Sequence, residues 1–177
     1  MISVLLLLVA TFYLIAGILF FGKKRKTYSH LRHTISELGE SGSPYEKTVS
    51  FGLFFIVGAI LILVSILNDT NETLHGLSLC VGAGYLVAAI FPCDEGSPLE
   101  GSWKQQIHNL GGFVEYAGSA YFLAQSAEVF SFVSTKLIAG IIVLCTLFIS
   151  IPSFSFRGLV QRVAEALLFL SLIALTL

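Results

Sequence analysis

Charge is what this chain is short of. Only 12% of its 177 residues are Asp, Glu, Lys or Arg, against about 25% in soluble domains. With no polar face on most of its apolar runs, that scarcity excludes an ordinary water-soluble globule. Cysteine is scarce too: Cys80, Cys93 and Cys145 include no Cys-x-x-Cys pair, which excludes a disulfide framework and a cysteine zinc site. There is no basic patch interleaved with aromatics, so nucleic acid is not expected as a partner. The net charge of −1 points to no class of partner.

What is there is hydrocarbon. The chain is 55% hydrophobic, with mean hydropathy +0.87. A spanning helix needs about 20 mostly apolar residues, and six such stretches are readable: Ile2–Phe21, Val49–Leu67, Leu74–Phe91, His108–Ala127, Phe132–Ile151 and Gly158–Leu177. Little lies outside them, so residues 1–177 read as one all-α, polytopic membrane bundle of six transmembrane helices. The first run lacks a basic lead and an Ala-x-Ala exit and is followed at once by Lys23-Lys24-Arg25-Lys26. That pattern is an uncleaved anchor rather than a signal peptide.

Basic residues mark one side. Lys23, Lys24, Arg25, Lys26, Arg32, Lys47, Lys104, Arg157 and Arg162 lie in or beside connections one, three and five, while Lys136 alone lies near connection four. The positive-inside rule then puts these connections in the cytoplasm and both termini outside, in a multi-pass protein of the cell membrane. Asn68-Asp-Thr and Asn71-Glu-Thr are short glycosylation sequons on the outer side.

Helix starts are punctuated. Ser43-Pro44-Tyr45-Glu46 has a capping box with proline at the first helical position, so the second helix is expected from Pro44. Ser97-Pro98-Leu99-Glu100 repeats the device and predicts a short interfacial helix in the third connection. Ser102-Trp103-Lys104-Gln105 leads into span four, and Thr34-Ile35-Ser36-Glu37 predicts a short interfacial helix in the first connection too, a turn that Gly39 ends.

Polar residues able to do chemistry collect on the basic side. Span four carries His108 and Glu115, seven apart and therefore pointing the same way, about 10 Å apart in depth. Its glycines suit close helix packing, but a carboxylate well inside a bilayer needs a partner or a task. Span six offers Arg162 and Glu165, three apart on one face. Arg162 is expected to bridge Glu165 or to reach Glu115 across the bundle, unless it only snorkels to the interface. His33 and Glu37 are four apart, so one helical turn would put them on a common face. Asp94 follows Pro92, where span three must stop. Ser36, Glu37, Asp94, His108 and Glu115 are the candidates for catalysis, and His33, Arg162 and Glu165 for holding a substrate. A divalent metal, if bound, would take His33, Asp94 and His108, although no His-Glu-x-x-His motif is present. Ser36 lacks a Gly-x-Ser-x-Gly setting. Cys93, beside Asp94, is the one cysteine placed for chemistry.

The segments His33-Thr-Ile-Ser-Glu-Leu-Gly-Glu40, Phe91-Pro-Cys-Asp94 and His108-Asn-Leu-Gly-Gly112 resemble the bacterial and archaeal membrane proteins grouped as domain-of-unknown-function family 998. A more distant similarity is to the DRAM/Frag-type six-span proteins, some of which act in lipid-anchor handling or autophagy. Neither resemblance brings an established catalytic residue. Three functions stay open on the residues. The first is a polar site at the cytoplasmic mouth that binds or processes a lipid headgroup or small amphiphile, as a hydrolase or transferase if an enzyme. The second is a small proton- or ion-coupled carrier. The third is a structural or assembly protein whose polar cluster locks the bundle. Membrane lipids are the expected partners in the first.

Overall fold

The computed structural model describes residues 1–126 and 134–177. The end of span four at Ala127 and the start of span five at Phe132 lie outside the described residues. The described residues form six helices and no strand: α1 (Ile2–Lys24), α2 (Glu46–Leu67), α3 (Glu72–Ile90), α4 (103–125), α5 (Thr135–Ile149) and α6 (Arg157–Ala174). Of these, α1, α2 and α3 are long and apolar enough to cross a membrane, and α5 is a shorter apolar helix.

Consecutive helices are neighbours, α6 returns to α1, and α3 also reaches α6. α1 buries one stripe at helical spacing, Leu7, Ala10, Leu14, Ile18 and Gly22, and leaves Leu5, Phe12 and Leu19 more than half exposed. In water such a helix would be unstable, whereas hydrocarbon is its natural surrounding. α2 and α3 meet backbone to backbone. A Cβ on Gly58 would lie 2.9 Å from the Gly82 carbonyl, and one on Gly82 would lie 3.1 Å from the Gly58 carbonyl. Glycine at both places is what permits that approach. Two helices contain a π-turn, Ser50–Phe54 in α2 and Val114–Gly118 in α4. A π-turn adds a residue to the turn and re-aims the side chains after it.

Local signals held where their partners are local. Thr34 and Glu37 form a reciprocal box, the Thr34 N–H donating to Glu37 Oε1 at 2.8 Å and the Glu37 N–H to Thr34 Oγ1 at 3.4 Å, and they open a 3-10 turn over Ser36–Gly39. Ser102 caps α4 by accepting the Gln105 amide at 3.3 Å. Two expectations fail. α2 begins at Glu46 rather than Pro44, because Gly42, at φ 81°, turns its own N–H onto Glu46 Oε2 at 2.6 Å, and Ser43 Oγ has no partner. The interfacial helix at Ser97–Glu100 does not form. Gly96 and Ser97 are both left-handed, at φ 72° and 44°, and a helix cannot start from an N-cap in that conformation.

Candidate functional site

At the end of the bundle that carries connections one, three and five lies a cavity of about 240 Å³. Its wall includes Thr34 and Ser36 from the first connection, Ser97 from the third, His108 and Glu115 from α4, and Arg157 and Gln161 from α6. The Ser36 hydroxyl makes no hydrogen bond to another described residue. His108 sits in the second turn of α4 and is held from outside the cavity. Its Nδ1 lies 2.9 Å from the carbonyl of Phe91, the residue that ends α3. A carbonyl only accepts, so Nδ1 carries the proton and Nε2 of the neutral ring keeps its lone pair.

Glu115 lies two turns deeper, in the π-turn of α4. It is 7% exposed, and its Oε1 has no hydrogen-bond partner. A Cβ on Gly84 of α3 would run into this carboxyl, so glycine there makes room for it. Beside it stands Glu165 of α6, 6% exposed. Both carboxyls border one small void of about 20 Å³, room for roughly one water. Glu165 is held by Tyr85 Oη at 2.8 Å and Tyr116 Oη at 2.7 Å. Gln161 Nε2 donates to Tyr116 Oη at 3.1 Å, and Gln161 Oε1 accepts the Ile35 amide at 2.6 Å. This chain of bonds ties α3, α4, α6 and the first connection into one buried polar unit.

The remaining expected site residues go elsewhere. Glu37 turns its carboxyl back onto Thr34, accepting from the amide at 2.8 Å and the hydroxyl at 3.0 Å. His33 stacks on Tyr28, ring centroids 5.4 Å apart, and its Nδ1 accepts the Ser29 amide at 2.8 Å. The common His33–Glu37 face therefore does not form, although both residues border a separate polar crevice of about 730 Å³. Asp94 accepts from the Ser102 amide at 2.7 Å and hydroxyl at 2.8 Å, while its own amide donates to Gln105 Oε1 at 2.7 Å. These bonds from Ser102 hold the Asp94 carboxyl below the ordinary carboxylate range. They fasten the third connection to α4 and keep Asp94 off the cavity wall.

His33, Asp94 and His108 are thus separated, each bound to a different local partner. Among the described residues no three His, Cys, Asp or Glu side chains gather closely enough to hold a metal ion. Cys93 is buried, and burial together with Glu40 and Glu37 pushes its thiol up, so it lacks thiolate character at neutral pH.

Arg162 does not bridge the carboxyls. It donates to the carbonyls of His33 at 3.1 Å and Gly158 at 2.8 Å and to Tyr28 Oη at 2.7 Å, and lies 3.1 Å from His30 Nδ1. Glu165 needs no arginine because two tyrosines already occupy its oxygens. Arg162 instead pins the first connection onto α6, and burial pushes the Tyr28 hydroxyl up to about 12, keeping it a donor to the Thr34 carbonyl at 2.8 Å. The one ion pair among the described residues joins Arg25 to Glu40.

Arg157, Gln161, Tyr85 and Tyr116 were not expected at the site. One signal could have found two of them: Arg157, Gln161 and Glu165 recur every four residues as a polar stripe on α6. The tyrosines carry no such mark.

A strongly apolar chain whose described residues form helices and no strand, three of the helices long and apolar enough to cross a membrane, is of the membrane-protein class. It belongs to the family described as "Protein of unknown function (DUF998)", which matches residues 8–177. No curated protein and no solved structure matches it.

Proposed function

We propose that this protein crosses the cell membrane six times with both termini outside, and that its cavity at the cytoplasmic mouth binds a lipid headgroup or small amphiphile. The observation that carries this is the cavity of about 240 Å³, in which Ser36 of the first connection shares a wall with His108 and Glu115 of α4. Apolar walls with a few convergent polar groups are the usual make-up of a small-ligand site. The basic residues support the orientation. The combination of Leu99 and Phe113 with His108 and Arg157 in one lining suits a molecule that is part apolar and part polar. A free serine hydroxyl and a histidine lone pair in the same cavity also suit acyl or phosphoryl transfer on such a ligand, as a further step. The likeness to DRAM/Frag-type proteins supplies none of these residues.

The test is native mass spectrometry of the protein released from its own membranes, comparing it with Gly112→Leu. Gly112 borders the cavity, and a Cβ there meets nothing within 4 Å, so a leucine side chain starts from open space at the cavity edge. A co-purified amphiphile that disappears in Gly112→Leu is the expected result. The same bound mass in both proteins sinks the proposal. A structural role alone predicts no bound amphiphile in either protein and no change of activity in cells.

A further inference from the structure

The cavity wall carries a cation and hydrogen-bond acceptors on different elements. Arg157 is 7% exposed, yet every oxygen bonded to its guanidinium is neutral. Nε donates to the Ile149 carbonyl at 2.9 Å, and the two terminal nitrogens donate to the Gly96 carbonyl at 3.0 Å and the Ser97 carbonyl at 2.7 Å. A guanidinium has about five N–H bonds, so donors remain. No carboxylate bonds to it, since the ion pair among the described residues is Arg25–Glu40. Glu37 attracts it through space without bonding to it, so a largely buried cation hydrogen-bonded to carbonyls alone keeps part of its desolvation cost, which a bonded anion would offset.

The α4 side offers the opposite chemistry. His108 has its Nδ1 engaged with Phe91, so Nε2 is an acceptor, and the Glu115 carboxyl follows about 10 Å along the helix axis. Both line the same cavity as Arg157.

We propose that the cavity takes a phosphate-bearing amphiphile, with its phosphate at Arg157 and a hydroxyl or amine donor of its headgroup at His108 or, deeper along α4, at Glu115. This rests on reading the cavity as an amphiphile site. The planar fork of arginine matches a phosphate in shape as well as charge. A headgroup with its own donor beyond the phosphate meets one of these acceptors, which would otherwise stay unpaired.

The experiment measures binding of dihexanoyl phosphatidylethanolamine, phosphatidylglycerol, phosphatidylcholine and diacylglycerol to the purified full-length protein. The first two carry a phosphate and a donor, amine in one and hydroxyl in the other. Phosphatidylcholine has the phosphate without an N–H or O–H, and diacylglycerol has a hydroxyl without a phosphate. At least one of the first two is expected to bind about tenfold more tightly than either control, and Arg157→Lys to remove about that factor. The stronger of the two tells amine from hydroxyl. Because Arg157 also ties down the third connection, the ranking on the unaltered protein decides if Arg157→Lys loses helicity. Equal affinity for all four lipids, lost in Gly112→Leu, overturns this inference and leaves the amphiphile site standing. Binding that Gly112→Leu does not weaken overturns both.

Discussion

Tyr116 of α4 and Glu165 of α6 are joined by a 2.7 Å hydrogen bond from Oη to Oε1, at a point where both side chains are almost fully buried. Tyr85 of α3 takes the other oxygen of the same carboxyl at 2.8 Å. One acidic side chain is therefore the meeting point of three helices. Its neighbour Glu115, with an unpartnered oxygen, is left to face the cavity contents.

This geometry sets which substitutions should couple. Tyr116→Phe leaves a buried carboxyl oxygen without its donor, which costs about 1 to 3 kcal/mol. Tyr85→Phe and Tyr116→Phe act on one shared acceptor, so their losses should not add. Glu115→Gln and Arg162→Gln should add to within about 0.5 kcal/mol, because Arg162 bonds to connection one and not to a carboxyl. Unfolding of detergent-purified variants in rising denaturant measures all four. Strong coupling between Glu115 and Arg162 would contradict the arrangement.

Two glycines should respond in opposite senses to alanine. At Gly158 a Cβ would overlap the His33 carbonyl and lie 2.7 Å from the His30 carbonyl. Neither is a flexible side-chain tip, so Gly158→Ala should cost about 1 to 3 kcal/mol as the first connection is pushed off α6. Gly112→Ala meets no neighbour within 4 Å and should stabilise α4 by roughly 0.5 to 1 kcal/mol through its better helix propensity. Thermal unfolding in detergent gives both signs. A destabilised Gly112→Ala would mean the cavity is narrower than described.

Orientation can be tested with little background, since Cys80, Cys93 and Cys145 are all buried. Thr27 and Thr70 are exposed and lie on opposite sides of the proposed membrane. A membrane-impermeant thiol reagent applied to intact cells should label Thr70→Cys and spare Thr27→Cys until the membrane is opened. The reverse pattern would move the cavity to the outer face.

The clasp between Asp94 and Ser102 should be sensitive to acid. Ser102 holds the folded Asp94 carboxyl below its ordinary range, so the unfolded or unclasped form binds protons more readily. The clasp's contribution is therefore complete above the ordinary carboxylate pKa and is lost as pH falls through the lower, folded value. Hydrogen exchange across residues 94–105 should rise on acidification in the native protein, while Asp94→Asn shows no such step. Matching pH profiles in the two would rule the clasp out.

How much of this could be read from residues alone depends on the distance between partners. Thr34 with Glu37, and Ser102 with Gln105, are bonded three residues apart, so the chain writes both halves of each device side by side. The pairing of His108 with Glu115 on one cavity followed from helix periodicity, which the π-turn altered without undoing. Charge, with the three-residue spacing from Glu165, predicts Arg162 at the carboxyls. Its actual partners, His33 and Tyr28, belong to a connection whose path is set by tertiary contacts. Tyr85 and Tyr116 show the same limit. A tyrosine in an apolar helix looks like any other packing residue until its hydroxyl is seen 80 residues away in sequence on Glu165.

The cavity is flanked by Leu99 and Phe113, which are 55% and 63% exposed. In a bilayer, side chains of this kind face acyl tails or the boundary just above them. A ligand passing between them would arrive by diffusion within the plane of the leaflet. Its occupancy would then follow its mole fraction among the lipids, not its concentration in water. An amphiphile too insoluble to titrate in buffer could still saturate the protein, and affinities measured at different lipid-to-protein ratios would collapse onto one curve only when expressed per lipid.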